Sequence, residues 1–232
     1  MPFFRRQKNL PDYVQNYLDA PRPKGNIPWR EAPYSVLDVE TNGLNHKRHS
    51  LLAIGVLDID QGRIQINRRW YTNIRPPDTD EVGADTIRIH GLLRRDLEDA
   101  PALEEVLPEL LQRLQGRVLV VHIAAIDVKF LDQALRTHYG VKLRGPAIDT
   151  ARLGGVLLQQ EHMLSGTYDQ QGPRDTTLRS LAASANVPVE AQHNALSDAL
   201  TTAQLFLSQA TKLQKRGHDT FHKLLRVGGC LK

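Results

Sequence analysis

Asp38 and Glu40 stand two residues apart in Tyr34-Ser35-Val36-Leu37-Asp38-Val39-Glu40, a run whose β-branched and aromatic content reads as a strand. Alternation along a strand sends both carboxylates to one face. Like charges held together on a half-buried surface are unfavourable unless a cation or a shared proton neutralises them, so the pair points to metal ligation. The plain alternative is a strand end emerging into water with two solvated acids. Thr41-Asn42-Gly43-Leu44 follows, where Gly43 permits a tight turn and a close approach by a ligand. Ligand sites in open α/β sheets gather at such strand ends.

Asp127 shares an inward helical face with Phe130, Leu131, Ala134 and Leu135, while Lys129, Asp132, Gln133 and Arg136 take the outer side. Surface charge therefore does not explain it. A helix-start charge favoured by the macrodipole, or a buried salt bridge, does so without chemistry. His193 precedes a helix that carries Asp198 in its first turn and Leu196, Ala199, Leu200, Ala203 and Leu207 on its apolar stripe. A loop imidazole ahead of a helical carboxylate suits proton transfer near neutral pH. His46, His49, His138, His162, His218 and His222 have no metal-ligand spacing, and no phosphate loop, nucleophile elbow, Cys cluster or His-Glu-x-x-His is present.

The elements that must position these groups are legible from periodicity. Strands are expected at 34–40, about 50–59 and about 63–74, with Gln61-Gly62 turning the second into the third, as an antiparallel meander. Residues 75–100 read as a loop with a short helical piece, followed by an amphipathic helix from about Pro101 to Leu114. A buried strand over Arg117–His122 leads to a helix over Ala124–Tyr139 that Gly140 ends. Further helices are expected at about 149–160, 176–185 and 195–210. A strand meander followed by alternating helices and strands predicts an α/β sandwich with a mixed sheet.

With 232 residues, one domain with extensions is expected. Residues 1–33, with Pro at 2, 11, 21, 23, 28 and 33, should wrap or dangle outside the fold, carrying one short helix from Pro11 to Leu18. They hold six Lys/Arg against three Asp/Glu, and residues 211–232 hold six against one. The 34–210 core is mildly acidic, with 18 basic and 22 acidic side chains. Basic tails on such a core suit a polyanion, although solvated tails give the same arithmetic. No stretch is long and apolar enough for a membrane span, and the first residues lack a secretion signal's apolar core. Cys230 is the lone cysteine, so no internal disulfide can form. A cytoplasmic location is expected.

Taken in order, Asp38-Val-Glu40, Asp127 and Asp198 with His193 five places before it resemble the DEDDh 3′-to-5′ exonucleases, and within them the proofreading epsilon-type chains of bacterial DNA polymerase III. Asp-Val-Glu-Thr-Asn-Gly-Leu at 38–44, Ile-His-Gly-Leu at 89–92, Val-His-Ile-Ala-Ala-Ile-Asp-Val-Lys-Phe-Leu at 121–131, Asp149-Thr150 and His193 through Ala199 carry the likeness from about Tyr34 to Ala210. The resemblance implies a ribonuclease-H-like fold and an exonuclease domain over 34–210. It also implies two Mg²⁺ or Mn²⁺ ions held by Asp38, Glu40, Asp127 and Asp198, roughly 3.5–4 Å apart, with His193 as general base. Thr41, Asn42, Gly43, Leu44 and His90 would hold the terminal nucleotide. The implied substrate is a single-stranded 3′ end, DNA favoured over RNA because no motif reads the 2′-hydroxyl, and the implied product is a 5′ mononucleotide. Ile123 and Ile126 depart from the frequent Asn and Phe, which bears on rate or substrate preference more than on reaction type. A polymerase or other protein partner reached through the tails stays open. So does a noncatalytic binding or assembly module on the same fold, docking through a helical face with Phe221, Leu224 and Leu225.

Overall fold

A computed structural model describes residues 10–78, 88, 90–165, 175–189 and 194–231. Six strands form one mixed sheet in the order β3-β2-β1-β4-β5-β6. The three long strands are β1 (Tyr34–Thr41), β2 (Leu51–Asp60) and β3 (Arg63–Asn73). They form the expected antiparallel meander. Gln61 and Gly62 turn β2 into β3 with φ of 51° and 68°, the left-handed pair that a two-residue hairpin requires. Next to β1, β4 (Val118–Val121) and β5 (Ala147–Asp149) run parallel to it.

Each face of the sheet is covered because each carries an apolar set. Leu37, Val39, Ile54, Val56, Leu119 and Val121 belong to a core shared with Val14 and Tyr17 of α1 (Asp12–Asp19), and with α3 (Leu103–Leu114) and α4 (Asp127–Tyr139). The short α2 (Arg94–Glu98) precedes α3. Gly140, at φ 66°, donates to the Arg136 carbonyl and closes α4 where the sequence places its end. On the other face, Tyr34, Val36, Leu57, Ile59, Val118 and Val120 pack with α5 (Thr150–Ser165) and α7 (Ala195–Lys215). The small α6 (Leu178–Ser184) lies against α7. Asp38 and Glu40 continue the Tyr34–Val36 alternation, so period two delivers them to the α7 face.

The short N-terminal helix is present as expected, but both ends are packed into the fold more deeply than expected. Within the described part of the N-terminal region, Val14, Tyr17 and Trp29 are buried in the two cores, and Trp29 Nε1 donates to Gln214 Oε1 at 3.0 Å. Residues 211–232, expected as a basic tail, continue α7 to Lys215 and then form α8 (Phe221–Gly228) and β6 (Gly229–Leu231), which pairs antiparallel with β5. Phe221 and Leu224 are buried against the sheet, so the proposed docking face is already occupied by this chain's own core. The basic side chains lie on the outer side of α8, which is how a strongly charged composition conceals a folded segment.

A clamp fixes the strand register at the end of the sheet away from Glu40. The Arg117 guanidinium donates to the Tyr34 carbonyl at 2.9 Å, the Ile59 carbonyl at 3.3 Å and Asp60 Oδ1 at 2.7 Å. Asp58 lies 3.3 Å from its Nε and accepts from Ser35 Oγ at 3.0 Å. Tyr34 and Ile59 are direct cross-strand partners, so one side chain ties β1 to β2. Among the described residues no helix is long and apolar enough to cross a membrane.

Candidate active site

β1 and β4 pair only over Tyr34–Val36 and Val118–Val120. Beyond Val36 the two strands separate, and a crevice opens at their C-terminal ends, the usual ligand position in such sheets. Asp38 and Glu40 line it from β1, opposite Gly55 and Ala53 of β2. The first turn of α7 brings Asp198 to the same place. Asn194 caps that turn by accepting from Leu196 N at 3.1 Å and Ser197 N at 3.3 Å, as expected of an Asn at a helix start. One carboxylate oxygen each from Asp38, Glu40 and Asp198 lies within 4.8 Å of the others.

Asp127 opens α4 and is 3% exposed. It lies outside that three-oxygen group but is the first of the charges that act on Asp38, ahead of Glu40 and Asp198. Burial, reinforced by these neighbours, pushes the Asp38 carboxyl well above the ordinary carboxylate range. Burial likewise pushes Asp127 up to about 8, against the opposing effect of hydrogen bonds from its own and Val39's backbone N–H groups.

These acids fit a hard divalent cation. The donors are all carboxylate oxygens, and Glu40 Oε1 is buried with no hydrogen-bond partner among the described residues, an acceptor that a cation would satisfy. Stability linkage follows with a definite sign. A carboxyl whose folded pKa is raised contributes stability that is complete below about pH 4 and is lost as pH rises through the folded value, near 8 for Asp127. In EDTA the protein is therefore expected to lose up to about 1.4 kcal/mol per pH unit for each such group between about pH 5 and pH 8. Cations require the ionised form, so the rise in Tm on adding Mg²⁺ should grow over the same interval. Urea unfolding and thermal scans at stepped pH measure both; a flat EDTA profile would mean that the acids carry no such strain.

The flanking loop is held by its own contacts. Asn42 Oδ1 accepts from Ser50 N at 2.7 Å, Thr41 Oγ1 donates to the Gly43 carbonyl at 2.9 Å, and Asn45 N donates to His49 Nδ1 at 3.0 Å. Leu44 projects from it, 77% exposed. His90 Nδ1 lies directly against Glu40 Oε2, which places His90 at the acid cluster. His193 lies outside the described residues.

Two groups without an assigned role complete the surroundings. Asp149 Oδ1 accepts from Ile123 N at 3.1 Å and Ala151 N at 2.9 Å, and its Oδ2 accepts from Ala124 N at 3.1 Å. It thereby anchors the loop that delivers Asp127. His122 Nδ1 bonds Thr150 Oγ1 at 2.8 Å, and burial lowers its pKa, which keeps the imidazole neutral. Asp149 is the last residue of a parallel strand, and that position was the available signal. Ile123 has φ 59° and is 40% exposed. Asn tolerates that left-handed conformation and a β-branched residue does not, at a cost of about 1–2 kcal/mol. Ile126 packs partly against the core, so it keeps the apolar role of the aromatic it replaces.

The sequence profile of the RNase_T family, described as exonuclease, matches residues 35–206. The chain belongs to this family, as a DEDDh-type exonuclease domain homologous to the PolC-type and epsilon chains of DNA polymerase III. DNA polymerase III PolC-type from Thermotoga petrophila is 31% identical over 189 residues, which is 82% of this chain but 13% of that protein. DNA polymerase III subunit epsilon from Aquifex aeolicus is 23% identical over 198 residues, 85% of this chain and 90% of that one. Among solved structures, the nuclease domain of 3′hExo, a DEDDh family member, bound to rAMP, superposes with a TM-score of 0.63 at 14% identity, over 80% of this chain and 93% of that one. Exonuclease X in complex with 5′ overhanging duplex DNA gives 0.56 at 20% identity, over 77% and 92%. These likenesses establish the ribonuclease-H-like exonuclease fold. The chain spans only 12–13% of the length of the PolC-type relatives.

Proposed function

We propose that this protein removes nucleotides one at a time from single-stranded 3′ ends, with DNA preferred over RNA, and releases 5′ mononucleotides. The observation that carries the reading is the meeting of Asp38, Glu40 and Asp198 oxygens within 4.8 Å at a strand-end crevice, with Glu40 Oε1 buried and without a partner among the described residues. Asp38, Glu40, Asp127 and Asp198 would hold two Mg²⁺ or Mn²⁺ ions, which when bound supply charge stabilisation at the attacked phosphate and ease deprotonation of water. The chain's own residues do the rest. Leu44 packs on the terminal base, and the Thr41–Gly43 backbone holds the sugar. His90 steadies Glu40. His193 takes the proton as the water oxygen bonds to phosphorus and the bond to the departing 3′ oxygen breaks.

A replicative DNA polymerase is the partner class that the PolC-type and epsilon relatives support, and the cytoplasm is the proposed compartment. The test is digestion of single-stranded and 3′-recessed DNA and RNA oligonucleotides with Mg²⁺ or Mn²⁺, followed by chelation. Shortening from the 3′ end with release of 5′ mononucleotides, stopped by EDTA and faster on DNA, is expected. Cleavage that survives EDTA would reject the metal-dependent reading. Binding without any cleavage would favour the noncatalytic module.

A further inference from the structure

We propose that Gly55 is a positioning residue for Asp198: a strand position without a side chain sets how deeply the first turn of α7 seats on the sheet, and so how near Asp198 comes to Asp38 and Glu40. The proposal rests on reading those three carboxylates as metal ligands. Gly55 is the direct cross-strand partner of Asp38 on one side and of Tyr71 on the other. The row Asp38–Gly55–Tyr71 therefore has a gap in its middle, and the chain of α7 enters that gap. A Cβ on Gly55 would stand 2.4 Å from both the carbonyl carbon and oxygen of Ala195 and 2.5 Å from Leu196 N. Non-bonded carbons sit at about 3.5–4.0 Å, so the smallest side chain would displace this backbone by about 1 Å.

Space alone makes the requirement, because Gly55 is not among the residues with positive φ. The turn also has no easy way to yield. Ala195 is fully buried and packs with Leu52, Ala53, Leu92 and Leu97, Asn194 Oδ1 holds the Leu196 and Ser197 amides, and Asp198 N donates to the Asn194 carbonyl at 2.8 Å. Tyr71 flanks the gap, its hydroxyl donating to Asn73 Oδ1 at 2.7 Å. Lifting the turn would move Asp198 away from oxygens that β1 holds in place. A displacement of about 1 Å in a reacting constellation costs about 10²-fold in rate.

The test compares Gly55→Ala with Gly228→Ala, a second tight glycine whose Cβ would meet Leu153 Cδ2 at 2.6 Å and Ile148 Cγ2 at 2.9 Å, on the β5 side of the sheet. Mn²⁺ binding by calorimetry or electron paramagnetic resonance, metal-free Tm, and kcat and KM on a single-stranded oligonucleotide are read for each. Gly55→Ala is expected to weaken Mn²⁺ binding at least about 10-fold and kcat about 10²-fold, with KM near wild type. Gly228→Ala should lower Tm and leave Mn²⁺ affinity intact. Should Gly55→Ala not fold, Asn194→Ala loosens the same turn without adding an atom and is expected to weaken Mn²⁺ binding. Wild-type Mn²⁺ affinity and kcat in Gly55→Ala, equal losses in both glycine variants, or unchanged Mn²⁺ binding in Asn194→Ala standing in for an unfolded Gly55→Ala, would overturn the positioning role. Failure of the wild-type protein itself to bind Mn²⁺ would overturn the metal reading beneath it.

Discussion

Asp38→Asn is expected to lower kcat by at least about 10³-fold and, at the same time, to stabilise the metal-free protein by about 0.5–2 kcal/mol. Asp38 is the carboxylate on which the others converge: its burial raises its pKa, and the charges of Asp127, Glu40 and Asp198 raise it further. Its charge is thus costly to the fold, and asparagine keeps its shape while removing that cost. The same charge is what a divalent cation requires, and loss of one ligand removes several kcal/mol of transition-state stabilisation, with each 1.36 kcal/mol worth tenfold in rate. Urea unfolding in EDTA and single-turnover digestion in Mg²⁺ give the two numbers. A variant that is inactive and also less stable in EDTA would place Asp38 in a structural role, and one that still cleaves would remove it from the mechanism.

His193→Ala is expected to slow cleavage by about 10²–10⁴-fold while sparing oligonucleotide affinity. An imidazole accepts a proton near neutrality, so with the divalent ion saturating, the proton-accepting step should set the acidic limb of the pH profile. In His193→Ala that limb should flatten, and added free imidazole should recover part of the rate. An unchanged rate would remove His193 from the reaction; loss of affinity equal to the loss of rate would make it a substrate contact instead.

What the sequence disclosed, it disclosed through local rules. Period two put Asp38 and Glu40 on one face, the +3, +4, +7 and +8 positions put Asp127 on the buried side of α4, and Gln61-Gly62 and Gly140 marked a hairpin and a helix end that the structure has. What stayed hidden depends on contacts between distant segments. Asp149 reaches 25 and 26 residues back to hold Ala124 and Ile123, and no spacing rule links them. Gly55 reads as a break in a strand's side-chain pattern until Ala195 is seen against it. Six prolines obscured the burial of Val14, Tyr17 and Trp29, and a three-residue strand such as β6 is too short to show any period.

The Arg117 clamp has a bearing on how safely this chain folds. Sliding β1 by one position past β2 would turn both acids onto the opposite, oily side of the sheet and send leucine and valine into the crevice. Such a molecule would keep most of its backbone pairing and have no means of cutting anything. Because the Ser35 hydroxyl meets the Asp58 carboxylate across the two strands and the guanidinium binds Asp58, Asp60 and the Tyr34 and Ile59 carbonyls together, the proper alignment satisfies the cluster and a slipped one breaks it, so the far end of the sheet acts as a check that the cutting end has been assembled the right way round.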